Sequence, residues 1–550
     1  MKLCRKKKNF WRREKKLFFL HTARSRRKKS LYVCLLFLAS LTTACNDWLD
    51  ILPNNEQVTD NYWKSKEDVE AVLASGYYYL RQAVPSIIIW GEVRGGTVFT
   101  TNTAAAYLQN FNITPSNSTC NYAPIYKVIG MANSVLKYAP SVMTEDDTYY
   151  ASVMNSHLCE AYFLRAYCYL LLVKNFRDVP LVVEAYVNDD AEYSIPKSSE
   201  PEIINQIKED VKAALATGAA KSEYEDTDGL YWTSKGRATR WALFALMADV
   251  CLWNHDYDEC IQYCNYILDV DDKDTSNRPR FISNPSQWFE IFYPGNSNES
   301  IFEVQWESSS KYAQANNFGS LFAINASSVY KYTDYAVEKL VAETDEALAN
   351  TIDREGRIGR MLYCSFKSLA VNQLDYAKQP QLYVWKYKGT DIVTGDPRPQ
   401  EDANFILYRV AEVILMKAEA LVMKGEASWT AAVELLNVIR RRASLNDIVV
   451  VVEETDEKSL LESVMHEREM EFLAEGKRWY DLLRIARYDH GDGVYKQWFV
   501  DEVVEGNQTT KDEWIRSVLL DEDAWYMPIP YSEIEINPEL VQNPYYGTTK

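Results

Sequence analysis

The chain has 550 residues and a globular composition, with 47% hydrophobic and 25% charged residues, 38 Tyr and 15 Trp. Its formal net charge of −18 repels nucleic acid and anionic lipid surfaces, which argues against both as binding partners. The length allows two to four domains or one large repeat domain.

The first 44 residues are typical of a signal peptide. They contain 14 Lys and Arg residues and one acid, Glu14, and a basic stretch precedes the apolar run from Leu31 to Ala44. Fourteen apolar residues are too few to cross a bilayer, which needs about 20, so we expect a secretory signal. Without residues 1–44 the chain has 46 basic and 77 acidic residues, a net charge of −31.

Cys45 follows the small residues that end the signal, in the sequence Leu41-Thr-Thr-Ala-Cys45. This stretch resembles the lipobox of bacterial lipoproteins, with Thr42 at a position where leucine is commoner. The resemblance implies that Cys45 is acylated, palmitate being one of the acids, and anchors the mature chain in the outer membrane. The alternative is a cysteine beside an ordinary cleavage site.

The remaining cysteines and histidines do not predict a metal site. Seven cysteines follow Cys45 without disulfide-framework spacing, and Cys260 and Cys264 have no second pair to complete a zinc site. The four histidines of the mature chain are scattered. We therefore expect no metal and no cofactor.

Helical periodicity recurs along most of the chain. It predicts helices over 66–82, 122–138, 148–176, 201–217, 238–253, 258–270, 408–424 and 429–443. The pairs within 238–270 and 408–443 have short turns and small residues at their contacts, as tetratricopeptide units do. The pattern predicts an all-α fold, a superhelix of tetratricopeptide-like helix pairs with long irregular loops and minor β-structure.

Two segments lack this periodicity. Residues 83–115 are rich in Gly and Thr, and a loop of such length is usually functional. Residues 277–404 are mixed, with strand-like alternation over 285–294 and 299–306.

One apolar stripe runs through Leu460 to Arg484, which predicts a single helix of about seven turns. Arg468 and Glu475 fall inside the stripe and must be paired, because an unpaired buried charge costs several kcal/mol. Gly476 is tolerable there only if another backbone passes close by or the helix bends.

The same residues carry a family resemblance. His466 to Arg484 reads HEREMEFLAEGKRWYDLLR, which resembles the "ER..E...EG.RW.DL.R" pattern of the SusD/RagB family. Asn175-Phe-Arg-Asp-Val-Pro-Leu181 and the segment from Trp525 to Pro544 resemble two further motifs of that family, with Arg177 and Tyr545 in place of the usual glycines.

The resemblance covers Cys45 to the end of the chain and implies a function. Family members are outer-membrane lipoproteins that bind oligosaccharides or polysaccharides for a partner, a SusC-like TonB-dependent transporter. It implies one SusD-like domain over 45–550, with a tether at 45–66, helical repeats with glycan-facing loops at 67–276, an irregular insert at 277–404, and helical repeats with the family motif at 405–550.

The charged residues of the motif could be structural or catalytic. We expect a buried network of Arg468, Glu471, Glu475, Arg478 and Trp479, because the stripe that carries them faces a core. The alternative is a surface glycoside hydrolase, which needs two carboxyl groups about 5–10 Å apart across an open cleft.

Sugars pack on aromatic faces and bind amide, guanidinium and hydroxyl groups, so aromatic residues in polar loops are candidate glycan contacts. The candidates are Trp90, Arg94, Asn102, Tyr107, Trp306 and Tyr312. The alternative is that these rings fold back onto the helices. A neutral glycan suits the acidic chain, unless Arg354, Arg357, Arg360 and Lys367 form a basic patch. A peptide or another nutrient is an alternative ligand, because binding it would need only different side chains in the loops of the same fold.

Overall fold

The computed structural model describes residues 62–186, 194–225, 232–269, 277–307, 317–322, 328–350, 360, 384–390, 396–450, 455–488, 491–507 and 511–547. Cys45 and Tyr312 lie outside these residues. Residues Trp63–Lys550 form one compact unit. Within the described segments, none of the helices has the length and apolar character that a membrane crossing requires.

Helices dominate the described structure. Their bounds are α1 Lys66–Glu92, α2 Thr103–Gln109, α3 Ala123–Glu145, α4 Ala151–Phe176, α5 Glu200–Ala216, α6 Trp232–Gly236, α7 Arg240–Trp253, α8 Tyr257–Leu268, α9 Asp334–Asn350, α10 Val410–Met423, α11 Trp429–Arg442, α12 Glu457–Glu471, α13 Arg478–Arg487, α14 Val494–Asn507, α15 Asp512–Leu519 and α16 Tyr531–Ile536.

The described part of the chain contains three two-stranded antiparallel sheets. The strands are β1 Val98–Thr100, β2 Val179–Pro180, β3 Lys197–Ser198, β4 Ser300–Val304, β5 Tyr330–Tyr332 and β6 Phe405–Arg409. β1 pairs with β5, β2 with β3 and β4 with β6. The strand expected within 299–306 is confirmed as β4, whereas residues 285–291 form a 3-10 helix, so the strand expected there was wrong.

Consecutive helices pack as pairs around a shared core. α3 packs on α4, α4 on α5, α7 on α8 and α10 on α11. Capping boxes at Ser65 and Ser199 fix where α1 and α5 begin, because each serine side chain accepts from the N3 backbone amide. The mostly helical fold with minor β-structure is confirmed.

α1 is longer than its periodicity predicted. We expected a helix to residue 82 followed by an irregular segment, but α1 continues to Glu92 and includes Pro85. Ile87, Ile88 and Trp90 of this extension are buried in the core. Burial of these apolar side chains compensates for the hydrogen bond that the proline removes.

The motif segment is not one helix, which corrects the expectation for Leu460 to Arg484. α12 ends at Glu471, a turn follows, and α13 begins at Arg478. Gly476 has φ +74°, and an ideal Cβ on Gly91 of α1 would lie 2.0 Å from the Gly476 carbonyl oxygen. The close backbone and the bend that the glycine suggested are therefore both present.

Candidate functional site

Residues 95–126 form an uncharged stretch of the chain that is partly exposed. They contain no Asp, Glu, Lys or Arg, although a quarter of the chain is charged. The stretch comprises β1, α2 and the connection to α3. Its exposed polar side chains carry only hydroxyl and amide groups: Thr101, Asn102, Thr103, Tyr107, Asn112, Thr114, Ser116, Ser118 and Asn121.

Two of the predicted site residues, Asn102 and Tyr107, are exposed in this stretch, together with Phe99, which was not among the candidates. Tyr107 of α2 is 49% exposed, and Phe99 of β1 is 48% exposed. Asn102 is exposed at the start of α2, where its Oδ1 accepts a hydrogen bond from the amide of Ala105 at 3.0 Å. This cap fixes the first turn of α2 and leaves the amide nitrogen of Asn102 without a role in the cap.

A third ring comes from α15, far away in the sequence. Trp514 is 46% exposed, and its indole nitrogen donates to the carbonyl oxygen of Asn110 at 3.2 Å. Asn110 is the C-cap of α2, so Trp514 lies against the carboxyl end of the helix that carries Tyr107. We call Phe99, Asn102, Tyr107 and Trp514 the aromatic surface. The sequence did not reveal Trp514, because only the fold brings α15 to α2.

Trp90 and Arg94 are not part of this surface, which corrects their expected exposure. Trp90 is fully buried and donates from its indole nitrogen to the Thr119 carbonyl at 2.7 Å. The Arg94 guanidinium stacks 4.1 Å from the Trp479 ring centroid and donates to the Trp525 carbonyl at 2.8 Å. Burial lowers the pKa of Arg94 to about 10. These two side chains belong to the core, as the alternative interpretation held.

Trp306 is also buried. It is 7% exposed and packs edge-to-face on Phe318, with ring centroids 5.2 Å apart. Its backbone amide donates to the Asn404 side chain at 3.0 Å. Because the Trp306 ring is buried, little of its face is accessible to a ligand. Tyr312 stays a prediction because it lies outside the described residues.

A cavity of about 410 Å³ lies between α1, α6 and β4. Tyr78, 48% exposed, is at its rim, with the Arg81 guanidinium 5.3 Å from the ring centroid. The walls are mainly apolar, and Tyr77 donates from its hydroxyl to Glu160 at 2.7 Å. We call this the α1–β4 cavity.

The motif glutamates are buried in a network of arginines, as expected for a structural role. Glu471 accepts from Arg409 at 2.6 Å and also binds Arg442 and Arg360. Glu475 binds Arg409 at 2.9 Å and Lys386 at 2.6 Å. Burial raises the pKa of Glu475, but these two cations outweigh it, so its pKa lies below the usual value.

The other network members have partners different from those expected. Arg468 pairs with Asp481 at 2.9 Å, and Arg478 pairs with Glu502 at 2.8 Å, so neither neutralises Glu471 or Glu475. Trp479 is fully buried. Burial raises the pKa of Glu502, yet Arg478 and Lys339 lower it to about 2.

The motif carboxylates are buried and ion-paired: Glu467 with Arg360, Glu469 with Lys339, Glu471 with Arg409 and Glu475 with Lys386. Glu469 also lines a cavity of about 250 Å³ together with Glu502, and there Lys339 and Arg478 bind both carboxylates, which suits a structural role. Elsewhere Cys251, Asp256 and Glu259 place possible metal-ligand atoms within 4.8 Å of one another. Lys208 donates to Asp256 at 2.5 Å and to Glu259 at 2.9 Å, so an ammonium already supplies the positive charge.

Family models match most of the chain. One, described as the SusD family, matches residues 182–546. A second, described as "Starch-binding associating with outer membrane", matches residues 47–252. The two matches together span the helical pairs, the aromatic surface and the motif turn.

Relatives and solved structures agree with the family models. A SusD-like protein of Formosa agariphila is 25% identical over 83% of this chain and 91% of its own. The fold is similar to surface glycan-binding protein A of Bacteroides uniformis, with a TM-score of 0.66, 18% identity, and coverage of 88% of this chain and 100% of that chain. It is also similar to a laminarin-binding SusD-like protein, with a TM-score of 0.63, 20% identity and the same coverages.

Proposed function

The chain belongs to the SusD family, and from this premise we propose that it captures oligosaccharides at the cell surface and delivers them to a SusC-like TonB-dependent transporter. The starch-binding family model and the laminarin-binding and glycan-binding proteins of similar fold support binding of glycan rather than catalysis. Residues 1–45 support an outer-membrane lipoprotein anchored through Cys45. Cys45→Ala should then release the protein from membranes and abolish labelling by fatty acid.

The aromatic surface is the observation that carries the glycan role. Exposed rings offer faces to sugar C–H groups, and the surrounding amides and hydroxyls can pair with sugar hydroxyls. The Trp514 indole nitrogen is already satisfied by Asn110, so the ring is held in place while part of it stays exposed. A rigid ring costs little entropy on binding.

The test is the affinity of single-ring variants for a panel of soluble glycans. Tyr107→Ala and Trp514→Ala should each weaken binding by about 5- to 150-fold, the loss of about 1–3 kcal/mol typical of an aromatic contact. The melting temperature should hardly change, because both rings are half-exposed. Tyr150→Ala is the matched control, since Tyr150 is 67% exposed on another element.

Two other results would redirect the proposal. The α1–β4 cavity is mainly apolar, which favours a peptide or another non-glycan nutrient there. Loss of binding in Tyr78→Ala, with full binding in Tyr107→Ala and Trp514→Ala, would move the site to this cavity. Release of reducing sugar by the purified protein would instead favour the glycoside hydrolase.

A further inference from the structure

The cavity of about 250 Å³ beside the motif helices reaches from solvent to a charged floor. Its walls come from α9, α12, α13 and α14. The side chains of Glu462 and His466 are 44% and 37% exposed and mark its mouth, whereas those of Glu469 and Arg478 are 1% and 4% exposed and form its floor. We call it the α12–α14 cavity.

Each floor side chain keeps one buried polar atom without a protein partner. Oε2 of Glu469 binds Lys339 at 2.8 Å and Arg478 at 3.4 Å, but within the described residues its Oε1 accepts no hydrogen bond. Arg478 binds Glu502 at 2.8 Å, yet its Nε has no acceptor in the same part of the chain. Buried polar atoms are costly to leave unpaired. An acceptor and a donor at one cavity therefore point to an occupant that can both donate and accept.

The charges around the cavity favour a neutral occupant. Lys339 and Arg478 would repel a cation, and the carboxylates of Glu462, Glu469 and Glu502 would repel an anion. A zwitterion would bring two more charges to a place where each buried carboxylate already has a cation, and removing those charges from water is costly. A hydroxyl group donates and accepts without any charge.

The rest of the lining is apolar and suits one small ring. Trp498, Met465 and Ile485 line the cavity, and the Trp498 indole nitrogen donates to Glu502 at 3.4 Å, which orients the ring. An indole packs well on the C–H face of a sugar. Drug-sized ligands fill pockets of about 300–1,000 Å³, so the volume of about 250 Å³ has room for a single sugar ring and not for a chain.

We propose that the α12–α14 cavity is a second carbohydrate site, which binds one neutral monosaccharide. Glu469 accepts from a sugar hydroxyl, Arg478 donates to a sugar oxygen, and Trp498 packs on the ring. Among the described residues, the lining of this cavity shares none with the aromatic surface. The site therefore binds its sugar independently of the capture of longer glycans and of their delivery.

Saturation-transfer NMR on the full-length protein tests the site, with glucose, galactose, mannose and xylose as probes and glycine and acetate as charged comparisons. Glu469→Gln keeps the shape of the side chain but replaces one acceptor oxygen with an amide donor, and Trp498→Ala removes the ring. Each should weaken sugar binding by about tenfold or more, as the loss of one charged hydrogen bond or one aromatic contact does. Glu419→Gln is the matched control, because Glu419 is an equally buried carboxylate, paired with Arg484 outside the cavity.

The outcomes separate this site from the proposed function. Loss of the monosaccharide in Glu469→Gln and Trp498→Ala, with wild-type binding in Glu419→Gln and Trp514→Ala, supports the cavity, and oligosaccharide affinity should then fall only in Trp514→Ala. Transfer to none of the sugars, binding of glycine or acetate in their place, or an equal loss in Glu419→Gln overturns the inference. Loss of the monosaccharide in Trp514→Ala alone places it on the aromatic surface and also overturns it. If Glu469→Gln fails to fold, Trp498→Ala decides.

Discussion

Glu475 shows how one residue of the motif serves the fold. Its two oxygens bind Arg409 and Lys386, and all three side chains are buried. Glu475→Ala should therefore lower the free energy of unfolding by about 3–5 kcal/mol, since it leaves two buried cations without this partner. Thermal or denaturant unfolding measures the loss. A variant that melts normally but no longer binds glycan would place Glu475 in the ligand site instead.

Charge inside an apolar stripe was the signal that predicted burial of Arg468 and Glu475, and it identified the right residues. It could not identify the partners of Glu475, because Arg409 and Lys386 come from sequence segments with no visible link to the motif. Trp90 shows where the local sequence misled the prediction. A polar, Thr-rich context suggested exposure, whereas three-dimensional packing buried the ring.

At the scale of elements, the contact between α1 and the motif turn constrains both backbones. A Cβ on Gly91 would lie 2.0 Å from the Gly476 carbonyl oxygen, so Gly91→Ala must force α1 and the turn apart. We expect a loss of about 3 kcal/mol in the free energy of unfolding. Gly130 of α3 has open space around it. Gly130→Ala should therefore stabilise the protein by about 0.5–1 kcal/mol, and equal effects of the two substitutions would contradict this contact.

Glu92, at the end of α1, caps the same turn. One of its oxygens accepts from the amides of Gly476 at 2.7 Å and Lys477 at 3.1 Å. Burial raises the pKa of Glu92 from 4.5 to about 7, despite these hydrogen bonds. Between these two values the folded state holds one proton more than the unfolded state, so this residue makes stability fall as pH rises.

Glu92→Gln keeps an acceptor oxygen for the turn and removes the titration. Relative to the wild type, the variant should gain stability as pH rises from about 4.5 to about 7, by up to about 3 kcal/mol. Denaturant unfolding across this range measures the difference. A difference that stays constant with pH would show that Glu92 does not titrate there.

At the scale of the whole molecule, periodicity predicted the helical pairs because their apolar faces are local in sequence. α4 and α10 begin and end within a few residues of the expected bounds. The break between α12 and α13 was missed, since the apolar stripe continues through Phe472 and Trp479 on both sides of the turn. Gly476 signalled a bend but not its extent.

The last prediction follows from the net charge of the whole molecule. The chain after residue 44 has 46 basic and 77 acidic residues, and its mean field opposes anionic ligands. The basic patch that could reverse this field is not supported at Arg360, which is buried and bound to Glu343, Glu467 and Glu471. Arg354, Arg357 and Lys367 lie outside the described residues.

We therefore expect a neutral glycan to bind more tightly than its sulfated derivative. Calorimetry at about 20 and about 300 mM NaCl tests this, because the Debye length falls from about 20 to about 6 Å over that range. Salt should leave the affinity for the neutral glycan unchanged and improve the affinity for the sulfated one, since screening weakens its repulsion by the acidic surface. Tighter binding of the sulfated glycan at low salt would mean that a local cationic site overrides the field of the molecule.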